Sequence, residues 1–247
     1  MLGRHHLMLS TVTVLTFLTP LIHYPSLVLT VLVGTAIGSL TPDVDSKDAT
    51  IFHEKVKGLQ GSSKLVNFTL APVFPVFGYT TKYLVYFPAV TVYDKILLRN
   101  YRFKRQHRGF LHSLLGVGTS TALTGIYLTA LLMVSGLFNP FYTVLFLTGY
   151  LIGGILHLVQ DSCTKTGVKW LQPFKDLKLK GDLVTSTKTE HVKKPHLLFL
   201  TLSVTGLTVL VARLFTQDTV TLLKTSLGLA AFQWIVFLAF IAKVRKV

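Results

Sequence analysis

The sequence has a single cysteine, Cys163, so it forms no internal disulfide and carries no Cys-rich zinc module. Acidic residues are scarce too: ten Asp and Glu stand against 25 Lys and Arg, a formal net charge of +15. Charged residues make up 14% of the chain, well below the roughly 25% of an ordinary soluble domain. Neither a Gly-x-Ser-x-Gly elbow nor a P-loop is present, which argues against a serine hydrolase and a nucleotide-driven pump. No small-residue cleavage site follows the first apolar run, and Pro20 and His23-Tyr24-Pro25 fit a turn. Leu7 to Tyr24 is therefore read as a mature helix and not as a signal peptide.

What the chain has instead is apolar sequence, 50% of all residues, gathered in long runs. Several approach the ~20 residues that a bilayer crossing needs. The expected fold is all-α, a single polytopic membrane helix bundle over residues 1–247. Spans are placed at Leu7 to Tyr24, Ser26 to Leu40, Phe110 to Phe138 and Phe141 to Asp161, with a C-terminal hairpin over 196–242. Gly34 and Gly38 on the second span have the spacing that lets another helix approach closely. Residues 65–98 are awkward: Pro72, Pro75 and Pro88 interrupt them and Lys82 lies mid-way, so they read as an inserted hairpin turning near Thr80-Thr81-Lys82, or as a re-entrant segment. Residues 162–195 read as a Lys-rich loop.

The positive charge lies between the spans, where the positive-inside rule uses it, so no nucleic-acid partner is expected. Of the 25 Lys and Arg, all but Lys82, Arg213 and Lys224 fall in residues 1–10, 41–64, 95–109, 162–195 and 243–247. The turns at Tyr24-Pro25, 135–140 and 215–219 hold none. Provided that 65–98 turns back as a hairpin and keeps both its flanks on one side, both termini and every basic loop are expected to face the cytoplasm, in a multi-pass protein of a bacterial or archaeal cell membrane.

Five clusters of ligand-type residues fall at that same face: His5-His6, Asp43 with Asp45, His107 with His112, His157 with Asp161, and Glu190-His191. A Pro-Asp-x-Asp at a helix end is either a turn with a capping aspartate or a carboxylate pair offered to a divalent cation. His157 and Asp161 are four apart and share a helix face. His107 and His112 are five apart, so they converge only if the chain bends at Gly109. Arg108 is either a clamp for an oxyanion or one more positive-inside residue. Glu190, in a Lys-rich loop, is either surface charge or part of the site; His5 reads as solvated, and His23 and His53 as structural or solvated. His and Asp ligands without thiolates suit zinc, manganese or iron better than calcium, and their number allows one to three ions.

These residues resemble one known family, the YdjM-type membrane-bound metal-dependent hydrolases, one of whose names refers to LexA. The shared pattern reads here His6-Leu7-Met8-Leu9-Ser10, then Leu40-Thr41-Pro42-Asp43-Val44-Asp45, then His107-Arg108-Gly109-Phe110-Leu111-His112-Ser113. Gly149-Tyr150, His157-Leu158-Val159-Gln160-Asp161, Thr164-Lys165-Thr166-Gly167-Val168 and Trp170-Leu171-Gln172-Pro173 follow in order. Thr41 before the proline, Leu111 in place of a threonine and the long gap from Asp45 to His107 depart from it. The resemblance implies metal ligands at His6, Asp43, Asp45, His107, His112, His157 and Asp161, and it prefers His6 over His5. More distantly, the family is similar to zinc-dependent phospholipase C and P1 nuclease, which implies phosphoester hydrolysis.

The expected function is therefore a metal-dependent hydrolase that attacks a phosphoester of a phospholipid, or of another membrane-associated substrate, with a metal-activated water. Arg108, Asp45 and Glu190 are its candidate catalytic residues, Arg108 holding the phosphate. Its partners would be the bilayer and anionic phospholipid head groups, and no oligomeric state is implied. The competing reading is a non-catalytic structural or regulatory protein that binds a metal or anionic lipid.

Overall fold

Caps and prolines start the helices where the sequence punctuates them. In a computed structural model, residues 3–46, 49–53, 71–93, 95, 109–184 and 189–247 are described, with side chains for all of these except 71 and 189–192. Helix α1 runs Gly3–Leu18 and ends in a 3-10 turn, Thr19–Leu21. Pro25, whose fixed φ suits a first helical position, opens α2, Pro25–Leu40. A 3-10 turn, Thr41–Asp45, extends it. Ser113 caps α5, Leu114–Val134, by accepting from Gly116 N at 3.0 Å. Asn139 caps α6, Pro140–Ser162, by accepting from Tyr142 N at 3.3 Å. Helix α7 is Thr189–Phe215, and Asp218 caps α8, Thr219–Val236, which a π-helical turn continues through Phe237–Ile241.

Among the described residues, five stretches are long and apolar enough to cross a bilayer: Pro25–Asp45, Leu114–Val134, Pro140–Ser162, Lys193–Phe215 and Thr219–Ile241. Burial separates the central from the peripheral ones. The α2 stretch is 67% buried, whereas the α7 stretch is 17% buried and shows its leucines outward. Helix α1 has 16 residues, short for a span, but it is packed between α2, α7 and α8 and is buried along most of its length.

Helices α2 and α6 form the axis of the bundle, and four glycines bring their backbones into contact. A Cβ on Gly34 would lie 2.2 Å from Phe146 O, and one on Gly38 would lie 2.0 Å from Tyr150 O. Reciprocally, a Cβ on Gly149 would lie 2.2 Å from Val31 O, and one on Gly153 would lie 2.3 Å from Thr35 O. The Gly34 and Gly38 pair thus finds its partner in Gly149 and Gly153, the close small-residue packing that drives helix association in lipid. Buried Tyr150 then ties this axis to α5 through a 2.8 Å hydrogen bond with Ser120. Thr16 Oγ1 donates to Leu202 O (3.0 Å) and Trp234 Nε1 donates to Thr13 Oγ1 (3.0 Å), fastening α1 to α7 and α8.

Three expectations need adjusting. No turn occurs near Thr80-Thr81-Lys82: α3, Phe74–Thr80, runs through a π-helical stretch, Thr81–Tyr86, into α4, Phe87–Val92. Pro75 falls in the first turn of α3, where a missing N–H costs little, whereas Pro88 follows directly on the π-helical stretch inside the continuous run. The 162–195 loop is not structureless either: β1, Val168–Lys169, pairs antiparallel with β2, Lys178–Lys180, and β2 pairs with β3, Arg245–Lys246, from the C-terminal tail. Finally, α7 begins seven residues before the expected His196 and passes through Pro195.

Candidate metal centre

The candidate ligands are delivered by four segments that meet at one end of the bundle, opposite the turns at 22–24, 135–139 and 216–218. Each is placed by local chemistry. Pro42 starts a 3-10 turn that carries Asp43 and Asp45 off the end of α2. A 3-10 turn at Phe110–His112, closed by His112 N donating to Gly109 O (3.1 Å), presents His112 just ahead of α5. Ser113 Oγ donates to Phe110 O at 2.8 Å, so the α5 cap also holds that turn. His157 and Asp161 lie on the last turns of α6, buried together. Beyond them Thr164 Oγ1 donates to Asp161 O (2.7 Å), and Gly167 takes φ +63°, a left-handed turn that glycine favours, to lead the chain into β1.

At the centre, His112 Nε2 and His157 Nε2 lie 3.4 Å apart. Asp43 Oδ1 is 3.4 Å from the first and 3.7 Å from the second. Asp161 Oδ2 is 3.7 Å and 3.8 Å from the same two nitrogens. N–H···O hydrogen bonds are about 2.7–3.2 Å long, so these contacts are too wide to be good ones. Ligands bound tetrahedrally at about 2.0–2.1 Å lie roughly 3.3 Å from one another. His112 Nε2, His157 Nε2 and Asp43 Oδ1 are thus held close to the spacing of bound ligands, a triad that could hold a metal ion, and Asp161 Oδ2 lies at a like distance from both nitrogens.

The rear nitrogen of each imidazole faces an oxygen, at hydrogen-bond distance for His157 and at ion-pair distance for His112. His157 Nδ1 is 2.7 Å from Ser39 O, a carbonyl that can only accept, so Nδ1 carries the proton and Nε2 offers its lone pair. His112 Nδ1 is 3.5 Å from Asp45 Oδ2. The two aspartates therefore flank opposite sides of one ring, where the sequence reading put them side by side on one ion. A 3-10 helix has three residues per turn, so side chains two apart point in different directions. Burial disfavours the His112 cation, but Asp43 and Asp45 outweigh it and raise the pKa from 6.5 to about 9.

His6 joins from α1. Its ring stacks on His157 with centroids 3.8 Å apart, and its Nε2 is 3.4 Å from Asp161 Oδ1. His6, His157 and Asp161 form a second triad that could hold an ion. Asp161 thus turns one oxygen toward His6 and the other toward His112 and His157. His6, His112 and His157 are at most 1% exposed, and so are the Asp45 and Asp161 side chains; the Asp43 side chain, at 16%, is the most open.

Of the other sequence candidates, His5 differs from expectation. It is buried, with its ring 5.9 Å from that of His196, because α1 begins at Gly3 and carries both histidines into the bundle. His23 and His53 are exposed, as read. His107 and Arg108 lie outside the described residues. Glu190 and His191 fall on the first turn of α7, and their side chains lie outside the description. Sequence reasoning missed Ser39, which acts through its carbonyl and so leaves no side-chain signal. It also passed over Gln160, whose Nε2 donates to Ser10 Oγ at 2.8 Å while its buried Oε1 has no partner among the described residues.

A family model described as YdjM inner membrane protein matches residues 1–245. The chain belongs to that family. It is accordingly a multi-pass protein of a cell membrane, in keeping with its five candidate spans among the described residues. No curated protein and no solved structure gives a significant match. The more distant likeness to phospholipase C and P1 nuclease therefore rests on the His157-x-x-x-Asp161 motif alone.

Proposed function

We propose that this YdjM-family chain is a membrane-bound, metal-dependent hydrolase acting on a phosphoester of a phospholipid or another membrane-associated substrate. The observation that carries the reading is the triad of His112 Nε2, His157 Nε2 and Asp43 Oδ1, with separations of 3.4–3.7 Å, and Asp161 Oδ2 lying 3.7–3.8 Å from both nitrogens. Like-charged carboxylates and bare imidazole nitrogens are costly to bury together unless a cation joins them. The donor set favours zinc, with manganese or iron as relatives in ligand preference. His157 Nε2 has one lone pair, so it serves one ion; His6 Nε2 and Asp161 Oδ1 would begin a second position.

A bound divalent cation would supply Lewis acidity, acidifying water and drawing charge from a phosphoryl oxygen. The chain's own residues do the rest. Ser39 O and Asp45 orient the imidazoles, Asp161 links the two triads, and Asp43 lies at the most open edge, where a substrate would approach. Arg108, four residues before His112, would hold the phosphate, with Glu190 as a further candidate. The basic loops support an orientation with this end and both termini in the cytoplasm, at the inner leaflet, where anionic head groups collect.

The test is metal content and turnover measured side by side on detergent-purified protein, wild type and Asp161→Ala, against a generic phosphodiester and defined phospholipids. Loss of both in the variant is expected; turnover that persists without metal would remove the assignment. The near-complete burial of every ligand but Asp43 favours a second reading, a closed structural metal site. That reading expects tightly bound metal, no turnover of any phosphoester, and unfolding of the bundle on chelation.

A further inference from the structure

Helix α7 carries a groove of about 390 Å³ lined by Lys193, Lys194, His196, Leu197 and Leu200. Residues 193, 196, 197 and 200 recur at helical spacing and share one face. Its composition changes with depth. Lys193 opens the apolar stretch, and both lysines and His196 are exposed. One turn deeper the groove is walled by Leu197 and Leu200, more than half exposed. The apolar stripe continues down the helix through exposed Val204, Leu207, Val211 and Leu214. On the inward face Leu198 and Leu202 are buried against the bundle, so the groove is on the lipid side. Neither lysine forms an ion pair or a hydrogen bond among the described residues.

We infer that this groove binds one anionic phospholipid, its phosphate held by Lys193 and Lys194 beside His196 and one acyl chain lying along Leu197 and Leu200. Two cations above an apolar stripe, at the edge of a membrane-crossing stretch, complement a molecule with a negative head and a hydrocarbon tail. A second copy of the chain fits less well. Two copies inserted in one membrane run parallel, so a symmetric contact along this stripe would set Lys193 and Lys194 against their own images. His196 also meets His5, the neighbour of His6, so the bound head group would lie against the wall of the metal centre. The inference does not depend on catalysis: the lipid is held whether or not anything is cleaved.

The experiment uses full-length protein stripped of lipid in uncharged detergent, with binding of phosphatidylglycerol, phosphatidylcholine and soluble glycerol phosphate followed by native mass spectrometry. Wild type is expected to hold one phosphatidylglycerol in preference to the other two. Lys193→Ala with Lys194→Ala should weaken that binding about 30-fold, from roughly a factor of five per well-placed lysine, with bound metal and helicity unchanged. The control pair Lys178→Ala with Lys180→Ala, on β2, should leave it intact. Undiminished binding in the first pair, an equal loss in the control, or equal retention of phosphatidylcholine or glycerol phosphate would overturn the inference. So would a wild-type dimer that Leu200→Ala with Leu207→Ala dissociates, which would assign the stripe to a second copy.

Discussion

His157 Nδ1 lies 2.7 Å from the carbonyl oxygen of Ser39, across a helix pair whose backbones touch. That distance fixes which nitrogen of His157 faces the other ligands, and it exists only because α2 and α6 approach so closely. Gly153, one turn before His157, packs against the segment that carries this carbonyl: a Cβ there would lie 2.3 Å from Thr35 O and 2.7 Å from Ser39 N. Both obstacles are backbone, so the helices themselves must part. Gly153→Ala is expected to destabilise the protein by about 1–3 kcal/mol and to weaken metal binding about tenfold or more, although no ligand changes. Competition with a chromophoric chelator measures it, and unaltered affinity would show that the Ser39 contact does not orient the ring.

The two aspartates of the Pro42-Asp43-Val44-Asp45 turn separate by role. Asp43 Oδ1 faces the Nε2 atoms of two histidines, whereas Asp45 Oδ2 faces the rear nitrogen of His112. Asp43→Asn should therefore remove a ligand and abolish tight metal binding. Asp45→Asn should keep the ligand set and lower affinity by about 10–100-fold. Cobalt substitution gives the sharper readout: the visible bands of a four-coordinate ion persist in Asp45→Asn and disappear in Asp43→Asn. Equal loss in both would make Asp45 a ligand.

How much of this could be read from sequence follows the range of each interaction. His157 with Asp161, four apart on one helix, and the charge asymmetry that gathered the clusters at one face are local signals, and the described His6, Asp43, Asp45, His112, His157 and Asp161 do meet at one end of the bundle. The Gly34 and Gly38 spacing announced a close partner but could not name α6, because that choice is made by the matching glycines at 149 and 153. Ser39 was illegible because its backbone does the work. The burial of His5 was hidden by its polar neighbours Arg4 and His6, which suggested a solvated start where α1 begins at Gly3. Strands of two and three residues, one of them from the C-terminal tail, are too short to leave a period in the sequence.

In metal-free protein, stability should depend on pH through His112. Its pKa is raised from 6.5 to about 9: burial opposes the charge, and Asp43 and Asp45 overcome it. A group whose pKa is higher folded than unfolded contributes its full stability below the unfolded value and loses it as pH rises through the folded one. The melting temperature of chelator-treated protein should thus hold near pH 6 and fall by several degrees between pH 7 and pH 10. His112→Asn should start lower and remain flat over the same range. A wild-type profile as flat as that of the variant would contradict the ion pairing.

Membrane orientation can be read with the one native thiol left in place. Cys163 is fully buried at the end of α6, and burial pushes its pKa up to about 12, so it presents no thiolate at neutral pH. Impermeant maleimides should leave the folded wild type unlabelled and label it only after denaturation. Against that silent background, single cysteines at two exposed positions report the two sides. Leu137, 72% exposed, lies in an uncharged turn, and Phe174, 70% exposed, lies in the Lys-rich loop beside the metal centre. The charge asymmetry predicts that Leu137→Cys labels in spheroplasts with the inner membrane intact, and Phe174→Cys only in inverted vesicles. The opposite pattern would put the metal centre on the outer face, where it could not meet a cytoplasmic-leaflet substrate.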